Sequence, residues 1–433
     1  MPRPSRAPPV HSTVVLPQRV TLPAHTGPGR SSRSWKTRGA AEDHDGSAPA
    51  HRALGFRPSS PSSPPEPVHE VAQAFVRERR CAVPVVTGPL VLGVDSGGSG
   101  LRVALADAAA PGSAETLAGR QPVRTGPDGI DAGHMRELLL PMARTLLERS
   151  GHGGGDTVSA VVIGAAGMAT LGDGLRAVLP RALASALGAR TVGLAADAVT
   201  AYAGALGQSP GAVVAAGTGM IALGTDLTGW RRADGWGHLL GDCGSGAWIG
   251  RAGLEAALRA HDGRRGGSLP LLERSTAVLG PPHDLPALLY PRTDRPAVLA
   301  AFAPEVAACA GRDPVAAGIL TRAAEAIAES AAAVCPPATA APEGCRVSLT
   351  GGLFRIGDPL LVPLRAELAR LAPHAAQAPA SGDPLAGALL LAGALATDSL
   401  RLPTHPTMLH VYDGSGRSIP TTHGGQPRSN TGI

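Results

Sequence analysis

The chain has 433 residues, of which 43% are hydrophobic but only 3% aromatic, so its core must be built mostly from alanine, valine and leucine. Its formal net charge is +5, and lysine occurs only once, at Lys36. A Walker A loop, a protein-kinase catalytic lysine and Schiff-base chemistry all need a lysine in the folded core, so these classes are excluded. Any phosphate site must therefore use backbone N–H groups, hydroxyls, arginine and a metal ion.

Much of the excess positive charge precedes the first acidic residue, Glu42. A solvated tail explains this better than a nucleic-acid-binding arm, so no nucleic-acid partner is expected. No apolar run reaches the roughly 18–20 residues of a membrane helix, and the N-terminus lacks the apolar segment of a secretory signal. Five scattered cysteines without a CxxC pair or a zinc-like spacing fit a reducing compartment. We therefore expect a cytoplasmic protein that does not contact a membrane.

Composition divides the chain into four segments. Residues 1–86 are rich in proline, serine and arginine and are predicted to be disordered, because such a segment buries too little apolar surface to offset its ordering entropy. Residues 401–433 have a similar composition and are predicted to be a disordered tail. Between them, residues 87–207 are predicted to form an N-terminal α/β lobe and residues 208–400 a C-terminal α/β lobe.

Two segments share one pattern, an apolar strand that runs into a glycine turn and out into a second strand. They cover residues 89–107 and 211–226, and alternating helices and strands are predicted after each. This repetition indicates two α/β lobes of related topology, with the cleft between them as the natural place for a ligand. A single doubly wound domain with an additional meander is the alternative.

The two glycine turns are candidate phosphate sites. Glycine lets the backbone approach an anion, and successive N–H groups in such a turn form an anion-binding concavity. A carboxylate at the end of a buried strand is costly unless it meets a cation or donors, so Asp95 is interpreted as holding Mg²⁺ through water. The candidate ATP- and phosphate-binding residues of the two turns are Asp95, Gly97, Gly98, Ser99, Gly217, Thr218 and Gly219. A plain tight hairpin is the alternative for each turn taken alone.

Three further segments complete the candidate site. Asp197 follows a short apolar strand and begins an alanine-rich helix, so it suits either a helix N-cap or a general base that faces a hydroxyl. The loop 235–250 is rich in glycine and tryptophan, and an aromatic face beside a carboxylate is typical of sugar sites. Its candidate sugar-binding residues are Gly235, Trp236, Gly237 and Asp242. Gly351 and Gly352 follow a buried strand and would let an adenine ring lie against the backbone.

Taken in order, the motifs GVDSGGSG, AADAVTAYAGA, AAGTGMI, DGWGHLLGDCGSGAWIG and SLTGG resemble the BadF/BadG/BcrA/BcrD ATPase family and its N-acetylglucosamine kinase-like members. The resemblance implies a two-lobed actin/hexokinase-like (ASKHA, ribonuclease H-like) ATPase fold with an interlobe cleft, and ATP with Mg²⁺ as cofactors. It also implies roles by position: Asp197 as the catalytic aspartate, Ser99 and Thr218 as phosphate contacts, Gly235, Trp236, Gly237 and Asp242 as the sugar loop, and Gly351 and Gly352 on the nucleotide side.

Two departures from the family pattern concern the sugar. Cys243 stands where the family usually has a glutamate after the loop aspartate. The segment 122–129 lacks the asparagine that usually faces the acetamido group. Both N-acetylglucosamine and free glucosamine therefore stay open as substrates.

The resulting hypothesis is transfer of the ATP γ-phosphoryl group to a hydroxyl of N-acetylglucosamine or glucosamine, on C6, with Asp197 as the base. One alternative from the same family is an activator ATPase of a 2-hydroxyacyl-CoA dehydratase, which holds an iron–sulfur cluster between two subunits through cysteines. A second alternative is a non-catalytic sugar-sensing relative. The amino sugar is the expected small-molecule partner, and the oligomeric state stays open, a homodimer included.

Overall fold

The computed structural model describes residues 88–419, apart from residues 99, 127–128, 152–156 and 342–343. The predicted extension 1–86 and the tail from residue 420 onwards lie outside this part of the chain. Among the described helices, none combines the length and the apolar character that a membrane span requires.

The N-terminal lobe begins with the predicted hairpin and continues with alternating helices and strands. Its central strands are buried along almost their whole length, as expected for parallel strands covered on both faces. In chain order, its elements are β1 (Leu90–Gly97), β2 (Gly100–Asp107), β3 (Glu115–Gly119), the short strands β4 (Thr125–Gly126) and β5 (Gly129–Ile130), α1 (Ala132–Arg149), β6 (Ala160–Ala165), α2 (Met168–Leu171), α3 (Asp173–Leu187), β7 (Thr191–Ala196) and α4 (Asp197–Leu206).

The C-terminal lobe repeats the hairpin and adds several short helices between residues 269 and 309. Side chains of Ser245 and Asp313 cap two of its longest helices by accepting hydrogen bonds from their first turns. In chain order, the remaining elements are β8 (Gly211–Ala216), β9 (Met220–Thr225), β10 (Trp230–Asp234), α5 (Gly246–His261), α6 (Leu269–Leu279), α7 (Leu285–Leu289), α8 (Arg295–Ala301), α9 (Ala303–Cys309), α10 (Pro314–Val334), β11 (Cys345–Thr350), α11 (Asp358–Leu371), β12 (Ala375–Pro379), α12 (Pro384–Ala396) and β13 (Leu409–Asp413).

The two sheets have matching strand orders. In the described residues, one sheet runs β13-β7-β6-β1-β2-β3 and the other β12-β11-β8-β9-β10. In both, the two hairpin strands pair antiparallel. The first hairpin strand pairs in parallel with β6 or β11, which in turn pairs in parallel with β7 or β12. Each sheet also lies against its own cluster of buried apolar side chains. The prediction of two α/β lobes with related topology is confirmed, and the single doubly wound domain is excluded.

The end of the chain differs from the prediction in two ways. Residues 401–419 were predicted to be disordered, but β13 pairs antiparallel with β7 and extends the sheet of the N-terminal lobe. Within β13, Leu409 and Val411 are buried, and this alternation was overlooked amid the proline- and glycine-rich sequence around it. In addition, α12 was assigned to the C-terminal lobe, whereas its buried residues Leu385, Leu389 and Leu391 belong to the core of the N-terminal lobe.

Two helices connect the lobes, and they cross in close contact. The chain passes from β7 to β8 through α4, and it returns from β12 to the N-terminal lobe through α12. At the crossing, a Cβ on Gly387 would overlap the carbonyl oxygen of Thr200, and a Cβ on Gly204 would overlap that of Asp383. Because only glycine fits at both positions, the backbones of the two connecting helices can touch.

Substitution of Gly387 tests this contact. The change Gly387→Ala should lower the free energy of unfolding by about 1–3 kcal/mol, since the added methyl group forces the two backbones apart. The control is Gly393→Ala on the same helix, where the new Cβ would lie 3.6 Å from the nearest atom, the carbonyl oxygen of Ala108. Helix propensity alone makes that change neutral or stabilising by up to about 1 kcal/mol. Equal thermal unfolding of the two variants would contradict the proposed crossing.

Candidate active site in the interlobe cleft

Asp95 and Asp197 lie along one edge of the N-terminal sheet. Because β1, β6 and β7 are parallel, their carboxyl ends meet at the same edge. The register pairs Asp95 with Gly164 on β6, and Ala196 at the end of β7 with the next residue of β6. Asp197 then begins α4, and its carboxylate accepts a hydrogen bond of 2.9 Å from the backbone N–H of Ala198.

The Asp197 side chain is half-buried, and charges from both lobes act on its carboxylate. Its pKa is raised to about 6, mainly by burial and also by the negative charge of Asp95, against the opposing effects of the hydrogen bond from Ala198 and the positive charge of Arg232. Arg232 belongs to β10 in the C-terminal lobe. A positive charge of the C-terminal lobe is therefore near enough to act on Asp197.

Asp95 is held in place by an arginine that it shares with another aspartate. Its Oδ2 accepts hydrogen bonds from Nε and Nη2 of Arg102, at 3.0 and 2.7 Å, and Nη1 of Arg102 donates to Asp383. Asp383 caps α12 by accepting from the N–H of Ala386. The guanidinium group thus joins the end of β1 to the start of the returning helix, and in the described residues no hydrogen bond reaches Oδ1 of Asp95.

Arg232 and Asp234 organise the loop 235–250, and neither residue was singled out from the sequence. Arg232 donates to the carbonyl oxygens of Asp234 and Gly235, and its Cζ lies 4.5 Å from the centroid of the Trp236 ring. Asp234 accepts hydrogen bonds from the backbone N–H groups of Asp242 and Cys243, at 2.6 and 2.8 Å. The loop is therefore folded back on itself, with Trp236 held on its outer face and 65% exposed.

Asp242 connects this loop to the glycine turn of the second hairpin. Only 8% of the residue is exposed, and its Oδ1 accepts from the N–H of Gly237 at 2.9 Å. Burial raises its pKa. A Cβ on Gly219 would lie 2.6 Å from Oδ2 of Asp242, so glycine is needed where the turn meets the loop.

A pocket of about 780 Å³ opens beside this turn. In the described chain its walls all come from the C-terminal lobe: the turn 217–218, the start of α5, α8, α9, the 3₁₀ turn Gly352–Ile356 and the start of α11. Small residues line much of it, among them Gly217, Gly246, Ala300, Ala308 and Gly352. A glycine at 351 permits this arrangement, because its φ is +108° and a Cβ there would overlap the carbonyl oxygen of Ala216.

The residues singled out from the sequence fall into separate groups in the structure. Gly217, Thr218 and Gly352 line the pocket. Gly97 and Gly98 lie at the turn of the first hairpin, where a Cβ on either residue would meet no atom within 4 Å. Gly235, Trp236, Gly237 and Asp242 form one folded loop with Arg232 and Asp234. Ser99 lies outside the described residues.

These features define a class of protein: a two-lobed α/β ATPase fold of the actin/hexokinase type, with its charged groups in the interlobe cleft. A model of the BadF/BadG/BcrA/BcrD ATPase family matches residues 92–392, well over half of the chain. The chain therefore belongs to the BadF/BadG/BcrA/BcrD ATPase family, which confirms the resemblance noted in its motifs.

Similarity to individual proteins extends over different shares of the chain. A stretch of 142 residues is 32% identical to an N-acetylmuramic acid/N-acetylglucosamine kinase from Clostridium acetobutylicum. The matched stretch covers 32% of this chain and 46% of that protein, so the chain spans about half the length of this relative. A solved structure from Chromobacterium violaceum, provisionally named an N-acetylglucosamine kinase, matches with a TM-score of 0.50 and 27% identity over 70% of this chain and 99% of that one. Another from Porphyromonas gingivalis, with the same provisional name, matches with a TM-score of 0.52 and 18% identity over 70% and 97% of the two chains, and shows the fold alone.

The raised pKa of Asp197 makes a prediction about stability. The folded protein holds this proton more tightly than the unfolded chain, whose aspartate pKa is near 3.8. The resulting stabilisation is therefore present below that value and is lost as the pH rises through about 6. Asp197→Asn removes the ionisation, so the variant should gain stability relative to the natural chain between pH 4 and 7, by at most about 3 kcal/mol.

Thermal unfolding at several pH values measures this difference. The control is Glu137→Gln, which neutralises an exposed carboxylate on α1. A difference between Asp197→Asn and the natural chain that stays constant from pH 4 to pH 7 would show that the pKa of Asp197 is not raised in the folded protein.

Proposed function

We propose that this protein is an ATP-dependent kinase that transfers the γ-phosphoryl group to the 6-hydroxyl of an amino sugar, N-acetylglucosamine or glucosamine, in the cytoplasm. The observation that carries the proposal is the position of Asp197, which begins α4 at the same edge of the N-terminal sheet as Asp95 and has a pKa raised to about 6, mainly by burial. Family membership supports the use of ATP, and the names of the similar proteins support a sugar as acceptor.

Asp197 suits the role of general base. Proton transfer is most effective when the pKa of the base lies near the working pH, and burial raises the pKa of Asp197 to about 6. Its carboxylate would accept the hydroxyl proton and orient the oxygen towards the terminal phosphate. Phosphoryl transfer depends mainly on such positioning and on stabilisation of charge.

The pocket in the C-terminal lobe suits a nucleotide. Its alanine- and glycine-rich walls would accommodate a flat purine ring between α8, α9 and the turn Gly352–Ile356. At its inner end, Gly217 and Thr218 would offer backbone N–H groups and a hydroxyl to the phosphates. A Cβ on Gly217 or Gly352 would meet no atom within 4 Å, so both positions face open space.

Asp95 suits a magnesium ion that accompanies the nucleotide. Arg102 occupies Oδ2 of this carboxylate, and in the described residues Oδ1 receives no hydrogen bond, so it could accept from a metal-bound water. When bound, magnesium neutralises the charge that develops on the transferred phosphoryl group.

The loop 235–250 suits the sugar. Arg232 covers one face of Trp236 and leaves most of the ring exposed beside the cleft, where it could stack on the sugar. Leu239 and Leu240 on the same loop are 82% and 86% exposed. Closure of the lobes over a bound sugar would cover these side chains and exclude water, which otherwise competes as acceptor.

A panel of acceptors tests the proposal. ADP release should depend on the sugar when N-acetylglucosamine, glucosamine, N-acetylmuramic acid, glucose, N-acetylmannosamine and buffer are compared, with an amino sugar giving the highest kcat/KM. Asp197→Asn should lower kcat by about 10²–10⁴-fold, because the base is lost, while ATP still binds. ADP release that no sugar stimulates would contradict the proposal and favour the activator ATPase. Full retention of kcat in Asp197→Asn would exclude Asp197 as the base.

A bulky side chain in the pocket should weaken ATP binding without destabilising the fold. Ala308 lines the pocket and is exposed, so Ala308→Phe should leave thermal stability nearly unchanged while its ring occupies space needed by the nucleotide. We expect at least about a tenfold rise in the KM for ATP. The matched control is Ala333→Phe, at an exposed position of α10 outside the pocket. Equal ATP affinity in the two variants would place the nucleotide elsewhere.

A further inference from the structure

Two cysteines and a histidine lie close together in the C-terminal lobe, although the histidine is 39 residues from the first cysteine in the chain. The Sγ atoms of Cys335 and Cys345 are 2.9 Å apart, and Nε2 of His374 lies 3.8 Å from Sγ of Cys335. All three atoms lie within 4.8 Å of one another. Neither the nucleotide pocket nor the charged cluster of the cleft uses these residues, so the group requires its own explanation.

The fold brings the three side chains together at one edge of the second sheet. Cys335 ends α10, where its backbone N–H bonds to the carbonyl oxygen of Ala331. Cys345 begins β11, and the parallel register pairs it with Ala375, the first residue of β12. His374 immediately precedes Ala375 in the chain and therefore lies beside Cys345. Three junctions between regular elements thus supply the group, and the register rather than the sequence spacing sets its geometry.

The surroundings differ between the two sides of the group. Cys335 and Cys345 are 6% and 2% exposed, whereas His374 is exposed and closes the group from the solvent side. The two sulfurs therefore lie on the buried side of the group and the imidazole on its solvent side.

We propose that Cys335, Cys345 and His374 form a binding site for a divalent transition metal of the zinc type, with a water molecule in the fourth position on the solvent side. Two sulfurs and one imidazole nitrogen are preferred zinc ligands, and a three-residue set leaves one position open. The site is independent of the proposed kinase activity.

The distances require only a small adjustment. Tetrahedral zinc with bonds of about 2.3 Å to sulfur and about 2.0 Å to nitrogen places two sulfurs about 3.8 Å apart and sulfur and nitrogen about 3.5 Å apart. Sγ of Cys335 and Nε2 of His374 are already near that separation. The two sulfurs must move apart by about 0.9 Å, from 2.9 Å.

Binding also changes the protonation of the three ligands. Both thiols release their protons to solvent, so that two thiolates balance the charge of the metal ion. Nε2 of His374 lies 2.9 Å from the carbonyl oxygen of Pro336. It gives up that hydrogen bond, and the ring proton is carried on Nδ1 instead.

A metal ion at this site would join the end of α10, the start of β11 and the turn before β12. β11 leads directly to Gly351 and Gly352, the turn beside the nucleotide pocket. Because a ligand that binds only the folded state stabilises it by mass action, zinc should raise the thermal unfolding temperature of the C-terminal lobe.

Cobalt(II) is the probe that tests this site, because it takes the place of zinc and reports thiolate ligation by its absorption. Reduced, chelator-treated full chain titrated with Co²⁺ should develop sulfur-to-cobalt charge-transfer bands and tetrahedral visible bands at one ion per chain, and Zn²⁺ should abolish them. Cys335→Ser and Cys345→Ser should each remove these bands. Cys309→Ser, a change of a buried thiol outside the group, should retain them.

Substitution of His374 tests the site even if the changes at the two buried cysteines unfold the protein. His374→Ala changes an exposed side chain and should weaken Co²⁺ binding at least about tenfold, whereas His283→Ala, another exposed histidine of the same lobe, should leave it unchanged. Absence of charge-transfer bands in the reduced natural chain would overturn the proposal. So would bands that survive all three substitutions in the group, or a Cys335–Cys345 disulfide that persists in excess thiol reductant.

Discussion

The crossing of α4 and α12 is the constraint on which the arrangement of the cleft depends. Gly204 and Gly387 let the backbones of the two helices meet where any side chain would overlap a carbonyl oxygen. Each helix begins at a charged group of the cleft: α4 at Asp197, and α12 at its cap Asp383, which accepts a hydrogen bond from Arg102. A contact between two connecting helices thus determines where the carboxylates of the N-terminal lobe lie.

Charges of opposite sign act on Asp197, which forms no direct ion pair in the described residues and is therefore suited to act as a base. Burial and the charge of Asp95 raise the pKa of Asp197, whereas Arg232 lies near enough to lower it but donates its hydrogen bonds to Asp234 and Gly235. Asp95 is paired with Arg102, which it shares with Asp383. A carboxylate directly paired with arginine would be too weak a base, whereas Asp197, with its raised pKa, can accept a proton near neutral pH.

The sequence predicted those parts of the fold that are formed by residues close together in the chain. Two hairpins with glycine turns indicated two lobes, and their motifs indicated the family. The sequence could not show that α12 and β13 return to the first lobe, because that depends on pairing between segments about two hundred residues apart. Arg232 and Asp234 were missed because their roles consist of hydrogen bonds to backbone atoms of the loop. The sulfur–histidine group was missed because strand register brings His374 next to Cys345.

A crystal structure of the protein with N-acetylglucosamine and a non-hydrolysable ATP analogue tests the central claim most directly. The account predicts that the adenine ring lies between α8, α9 and the turn Gly352–Ile356, that the terminal phosphate lies near Thr218, and that one sugar hydroxyl lies within hydrogen-bond distance of the Asp197 carboxylate. A sugar whose hydroxyls all lie away from Asp197, or a nucleotide bound outside this pocket, would contradict it.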